Sequence, residues 1–64
     1  MKRTFKTIRN EILKLLETKI MTKMEISRAI NTDYRTIEKH LIWLLGTERV
    51  MKVERNKKVY YKLA

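Results

Sequence analysis

Residues 26–41 read Ile26-Ser27-Arg28-Ala29-Ile30-Asn31-Thr32-Asp33-Tyr34-Arg35-Thr36-Ile37-Glu38-Lys39-His40-Leu41, two helical segments hinged on three polar residues. Asn31, Thr32 and Asp33 interrupt the apolar spacing. Asp33 can cap the helix that follows, since a carboxylate accepts from the first free backbone N–H groups and suits the positive end of the helix dipole. Beyond it Ile37, His40, Leu41, Leu44 and Glu48 fall along one stripe at helical spacing. Before the hinge, Ile26, Ala29 and Ile30 form the apolar side of a shorter helix. Thr22-Lys23-Met24-Glu25 opens that helix with a hydroxyl followed three residues later by Glu, the order of a capping box. Two helices joined by so short a turn make a helix-turn-helix, whose second helix can enter the major groove of DNA.

Upstream, Phe5, Ile8, Ile12, Leu15 and Leu16 recur at helical spacing, with Thr4 as N-cap. Lys19-Ile20-Met21 is too short for another helix and reads as a connector or a short strand. Downstream, Gly46 is the only glycine and marks the end of the third helix, where a left-handed residue is often required. From Val50 the apolar period changes to two, which predicts a β-hairpin. A three-residue loop, Asn56-Lys57-Lys58, would pair Val53 with Tyr61 and Met51 with Leu63 and gather the apolar side chains on one face. A two-residue loop would pair Val53 with Tyr60 and leave Tyr61 opposite Lys52. The longer loop is therefore expected, although its tip has no glycine. The expected architecture is α+β, a single domain over 1–64. Its helices span about 4–18, 22–30 and 33–46, and its strands about 50–55 and 59–63.

Composition narrows the function. The chain has 64 residues, 16 Lys+Arg against 7 Asp+Glu, and a net charge of +9. A small soluble domain usually carries a net charge of about 2–8 in magnitude, so +9 calls for an anionic partner. Residues 1–9 carry four basic side chains and no acid. Residues 51–64 carry five basic side chains against Glu54, and residues 10–50 are nearly balanced. Without cysteine and with one histidine, disulfides, thiolate zinc sites and His clusters are excluded, and no metal or cofactor is expected. No nucleophile–base pair stands out, so the chain is not expected to be an enzyme. The longest apolar run, Leu41–Leu45, has five residues, far short of the ~20 of a membrane helix. The basic N-terminus is followed by no apolar stretch, so it is no signal peptide and an intracellular place is expected. The absence of Gln beside abundant Lys, Arg and Ile fits a hot-environment source.

The order of these segments resembles the winged helix-turn-helix DNA-binding proteins, among them small archaeal and archaeal-virus regulators. Residues 26–41 are similar to the family's helix-turn-helix. Asp33 stands at its cap, and Thr36-Ile37-Glu38-Lys39-His40-Leu41 at its Thr-Val-x-x-His-Leu-like run. Val50–Leu63 is similar to the wing hairpin. The family usually has a glycine about two residues before the wing strand, where this sequence has Glu48 and Arg49. The resemblance implies a double-stranded DNA partner and a transcription regulator. With no second domain to sense a ligand, it is expected to act as a repressor that occludes a promoter.

Helix-three positions off the buried stripe and near its start are Tyr34, Arg35, Thr36, Glu38 and Lys39, the expected groove contacts. Arg35 can donate two hydrogen bonds to guanine, whereas Lys39 suits a phosphate. Lys23, Arg28 and Thr32 are expected to support phosphate contacts. Arg55, Asn56, Lys57 and Lys58 form a cationic wing tip suited to the backbone or minor groove. His40, three residues from Ile37, is expected to pack. Of Tyr60 and Tyr61 one must face the core, and Met21, Met24 and Met51 read as core fillers. Leu41–Leu45 wraps more than one helical face. Ile42, Trp43 and Leu45, with part of helix one, are therefore expected to form a homodimer interface, since small uncrosslinked domains often gain stability by association. Alternatives from other classes are an RNA-binding winged helix, and a protein-interaction module that uses residues 41–45.

Overall fold

The computed structural model describes residues 4–64; Lys2 and Arg3 of the basic N-terminus lie outside the described residues. The elements run α1 (Phe5–Leu16), β1 (Met21–Thr22), α2 (Lys23–Ala29), α3 (Tyr34–Gly46), β2 (Val50–Arg55) and β3 (Lys58–Leu63). Three helices pack against one antiparallel sheet of order β1-β3-β2. The core takes Ile8, Ile12 and Leu16 from α1, Met21 from β1 and Ile26 from α2. It adds Ile37, Leu41 and Leu44 from α3, Val50 from β2 and Tyr61 from β3.

Local chemistry sets each boundary. The Thr4 side chain accepts from Thr7 N–H at the start of α1. Met21 and Thr22 settle the short upstream segment as a strand, paired with Tyr61 and Tyr60. Thr22 also caps α2: its hydroxyl accepts from Glu25 N–H at 3.2 Å and its own N–H donates to Glu25 Oε1 at 2.9 Å. This bond from the Thr22 backbone is the chief reason the Glu25 carboxyl titrates below its usual range. One residue thus ends a strand and begins a helix with no loop between them. The Asp33 carboxylate accepts from Arg35 N–H at 3.0 Å and opens α3.

Both helices of the motif end in the same way. Asn31, at φ 48°, donates to Arg28 O, and Thr32 N–H donates to Ser27 O. Glu48, at φ 61°, donates to Leu45 O, and Arg49 N–H donates to Leu44 O. These are Schellman closures with a left-handed residue just past the cap. Gly46 does end α3, as expected, but it is not the left-handed residue; that conformation falls on Glu48, where the resembled family usually has glycine.

Three expectations on burial and register need correction. The hairpin turns on two residues, Asn56 and Lys57, pairing Arg55 with Lys58, Val53 with Tyr60 and Lys52 with Tyr61. Both turn residues have positive φ, 49° and 63°, the pattern of a type I′ turn, whose twist matches that of the strands. The apolar side chains therefore divide between two faces. Val50 and Tyr61 reach the core, while Val53 and Tyr60 pair across the outer face. The helical layer covers only the base of the hairpin, so nothing rewards gathering every apolar residue on one side. That register puts Met51 on the outer face, where it is exposed; Met24 and Ala29 lie on the solvent side of α2, so of the methionines taken for core only Met21 is buried.

His40 is buried, as its place on the stripe requires. Arg9 Nε donates to its Nδ1 at 3.3 Å, and the Phe5 ring meets it edge-on at 5.1 Å. The Arg9 guanidinium also lies 3.8 Å from the Trp43 ring centroid, so one cation fastens α1 to α3 twice. Burial first, and Arg9 second, hold the His40 pKa below its usual 6.5.

A Cβ added at Gly46 would meet nothing within 4 Å, and its φ suits any residue. Gly46→Ala is therefore expected to stabilise the fold by about 0.4–1 kcal/mol, read as a higher urea midpoint at unchanged slope. His40 gives the opposite sort of test. The folded chain keeps it neutral at a pH where the unfolded chain protonates it, so stability is full above the unfolded pKa and is lost as pH falls below it. The melting temperature should drop between about pH 7 and 5.5, and His40→Leu should flatten that dependence.

Candidate nucleic-acid interface

The buried stripe of α3 fixes which side chains point away from the core. With Ile37, His40, Leu41 and Leu44 inward, the 100° step of a helix turns Arg35 and Lys39 outward. Arg35, Glu38, Lys39 and Ile42 line one shallow hollow on that face. Among the described residues the Arg35 side chain has no hydrogen bond or ion pair, so its fork of donors is open to solvent.

Tyr34, at the first turn of α3, is half exposed and faces α2. The Lys23 ammonium stands 5.0 Å from the Tyr34 ring centroid and 3.5 Å from Glu38 Oε2. Contact with Tyr34, and then the Glu38 charge, raise the Lys23 pKa above its usual value. The ion pair is open to water and contributes little stability. Its effect is on charge: Glu38, an acid on an otherwise basic face, is answered by Lys23.

The wing reaches this same place. Thr22, Lys23, Met24, Tyr34, Lys58 and Val59 line one hollow between the starts of α2 and α3 and the hairpin. Arg55, Asn56, Lys57 and Lys58 are all exposed, and no acid stands among them. Met24, expected in the core, lines this hollow instead.

Other expected contacts are placed differently. The Thr32 hydroxyl donates to Ile30 O at 3.1 Å and the Ser27 hydroxyl donates to Thr32 O at 2.6 Å, so Thr32 fastens the hinge. Arg28 is exposed at the far end of α2, about 140° around the helix from Lys23. Thr36 is half buried and lines the groove between α1 and α3 with Phe5, Arg9, Lys39 and Trp43.

The apolar run does not form one surface. Leu45 packs partly against the core, Trp43 turns toward α1 under Arg9, and Ile42 shares the outward face with Arg35 and Lys39. The aromatic surface beside Trp43 includes Phe5, 67% exposed. The sequence clue to this patch was Arg9, a cation four residues after Phe5 at the border of the α1 stripe.

No protein-family model matches the chain, and no curated protein matches it. Solved structures do. The Zalpha domain of zebrafish PKZ superposes with a TM-score of 0.85 at 26% identity, over 92% of this chain and 94% of that one. The homodimeric winged helix-turn-helix DNA-binding domain of a possible ArsR-family transcriptional regulator from Mycobacterium bovis gives 0.83 at 24%, over 89% and 53%. Lactococcus lactis ZitR in complex with DNA gives 0.83 at 22%, over 100% and 44%. The chain spans about half the length of the latter two. Its fold is a winged helix-turn-helix, with α2 and α3 as the motif and β2–β3 as the wing. Among the described residues no helix is long and apolar enough to cross a membrane.

A left-handed Lys57 costs about 1–2 kcal/mol that glycine would not. Glycine's freedom in the unfolded chain takes back about 0.4–1 kcal/mol of that, so Lys57→Gly should raise the melting temperature by a few degrees, at about 4–8 °C per kcal/mol in a domain of this size. A lowered melting temperature on differential scanning calorimetry would refute the turn geometry.

Proposed function

We propose that this chain is a double-stranded DNA-binding transcription regulator that represses by occupying a promoter. One observation carries the reading: the starts of α2 and α3 and the wing converge on a hollow lined by Lys23, Tyr34 and Lys58, and Lys23 reaches across to Glu38 at the edge of the hollow that Arg35 and Lys39 line. An α-helix of this exposure fits the major groove, and a cationic hairpin beside it suits the adjoining phosphates or minor groove. Arg35, Glu38 and Lys39 face the groove, with Tyr34 at its edge beside the wing and Thr36 set back toward α1. Arg35 reads a base, and Glu38 accepts from cytosine or steadies Lys23. Arg55, Asn56, Lys57 and Lys58 hold the backbone, with Lys23 and Arg28 as further phosphate contacts. The structural neighbours supply support, since one is a DNA-binding domain of a possible regulator and another was solved with DNA.

We further propose that two chains pair through the Phe5–Trp43 side of α1 and α3, as the Mycobacterium bovis domain is homodimeric. A dimer would read two half-sites about one helical turn apart. Sedimentation at a single 7.8 kDa species would overturn the pairing and leave the DNA reading standing.

The reading is tested by selecting bound duplexes from a random pool at about 150 mM salt, then competing the winner against duplex RNA, whose major groove is too narrow for a helix. Arg35→Ala should cost about 1–3 kcal/mol on the selected site and relax one position, while Lys57→Ala should weaken selected and random duplexes alike. With about five phosphate contacts per protomer, log K should fall against log salt with a slope near −4 to −5, twice that for a dimer. Binding that ignores salt would refute the proposal.

A further inference from the structure

Ile42 is 61% exposed, yet it belongs to neither the core nor the aromatic patch beside Trp43. It follows Arg35 by seven residues and Lys39 by three, so the three side chains share one helical face. That face is cationic, because Glu38, the acid in the hollow, is held by Lys23 at 3.5 Å. An aliphatic side chain beside two unneutralised cations is poorly placed to meet a second copy of the chain. A two-fold contact sets the same patch against itself and would bring Arg35 and Lys39 against their equivalents. It is well placed to meet a polyanion that carries an apolar group.

We infer that Ile42 is a specificity-determining residue that packs on the C5-methyl group of thymine in the major groove. The inference rests on the duplex-DNA reading above. Thymine's methyl is the apolar feature on the major-groove edge, and apolar side chains recognise it by contact rather than by hydrogen bonds. The spacing sets where it lies. Seven residues advance a helix by about 10 Å, which spans about three base pairs of duplex. The preferred site therefore carries a T·A pair about three base pairs from the base read by Arg35.

The experiment replaces that thymine by deoxyuridine, which lacks only the methyl group, in the duplex selected by the full chain. The wild-type chain should bind the uracil duplex about fourfold more weakly, the loss expected for one buried methyl. Ile42→Ala should bind the thymine duplex more weakly and no longer distinguish it from the uracil duplex, with an unchanged melting temperature because the side chain packs on nothing in the core. Ile42→Val should keep part of the preference. If Ile42→Ala still prefers thymine, if the wild type ignores the methyl, or if the selected site has no thymine within reach, the inference fails while DNA binding stands. If Ile42→Ala instead breaks up a dimer and leaves the methyl preference intact, the side chain serves protein association and the inference is overturned. Absence of any duplex binding overturns both.

Discussion

The burial of Ile37, Leu41 and Leu44 along one stripe of α3 is the constraint on which the rest depends. A helix is a rigid wheel, so choosing the inward side chains also chooses the outward ones. Those three residues seat α3 against α1, α2 and the sheet, and so aim Arg35, Lys39 and Ile42 away from the protein. No separate device orients this surface. The energy that holds it comes from apolar burial on the opposite side of the same helix. The Schellman closures at Asn31 and Glu48 then fix where α2 stops and where the wing departs, which sets the wing beside the first turn of α3.

Most of this was legible because it is local. The capping box at Thr22 and Glu25, the Asp33 cap and the stripe of α3 depend on residues within a turn or two of one another, and each formed as its spacing implied, the stripe as far as Leu44; Glu48, expected to continue it, lies exposed beyond the end of the helix. The hairpin register was not local in this sense. Gathering the apolar residues of both strands on one face would be sound if a helix covered that whole face. Here the helical layer fully buries Val50 and Tyr61 and partly covers Leu63, and the twist preference of the two-residue turn decides the register. The apolar run at 41–45 misled for a related reason. Adjacency in sequence implies a 100° separation on a helix, so Ile42 and Trp43 serve different surroundings. Which surroundings they have depends on α1, and the position of α1 cannot be read from residues 41–45.

Arg9 illustrates what only packing reveals. In sequence it is one more cation in a basic N-terminus. In the fold it is half buried, donates to His40 and stacks on Trp43. Part of the N-terminal charge is therefore structural, and the +9 overstates what is available to a partner. The opposite holds for Lys23. Its ammonium answers Glu38 and lies over Tyr34, and that pairing leaves Arg35 and Lys39 as the unopposed charges of the outward face.

The wing tip shows where folding and the proposed function pull apart. Asn56 tolerates the left-handed region, since its short polar side chain can bond locally, but Lys57 gains nothing of that kind. A type I′ turn in a sequence shaped only for stability would place glycine there. Lysine at that position carries a backbone cost at an exposed turn, with Arg55 and Lys58 beside it and no acid within the turn. Strain held in place by its surroundings is reason to look for a use of the side chain, not of the backbone. A cation displayed at that tip suits contact with an anionic surface, as the proposed function requires, and the strand that leaves the strained turn brings the neighbouring Lys58 to the hollow at the start of α3.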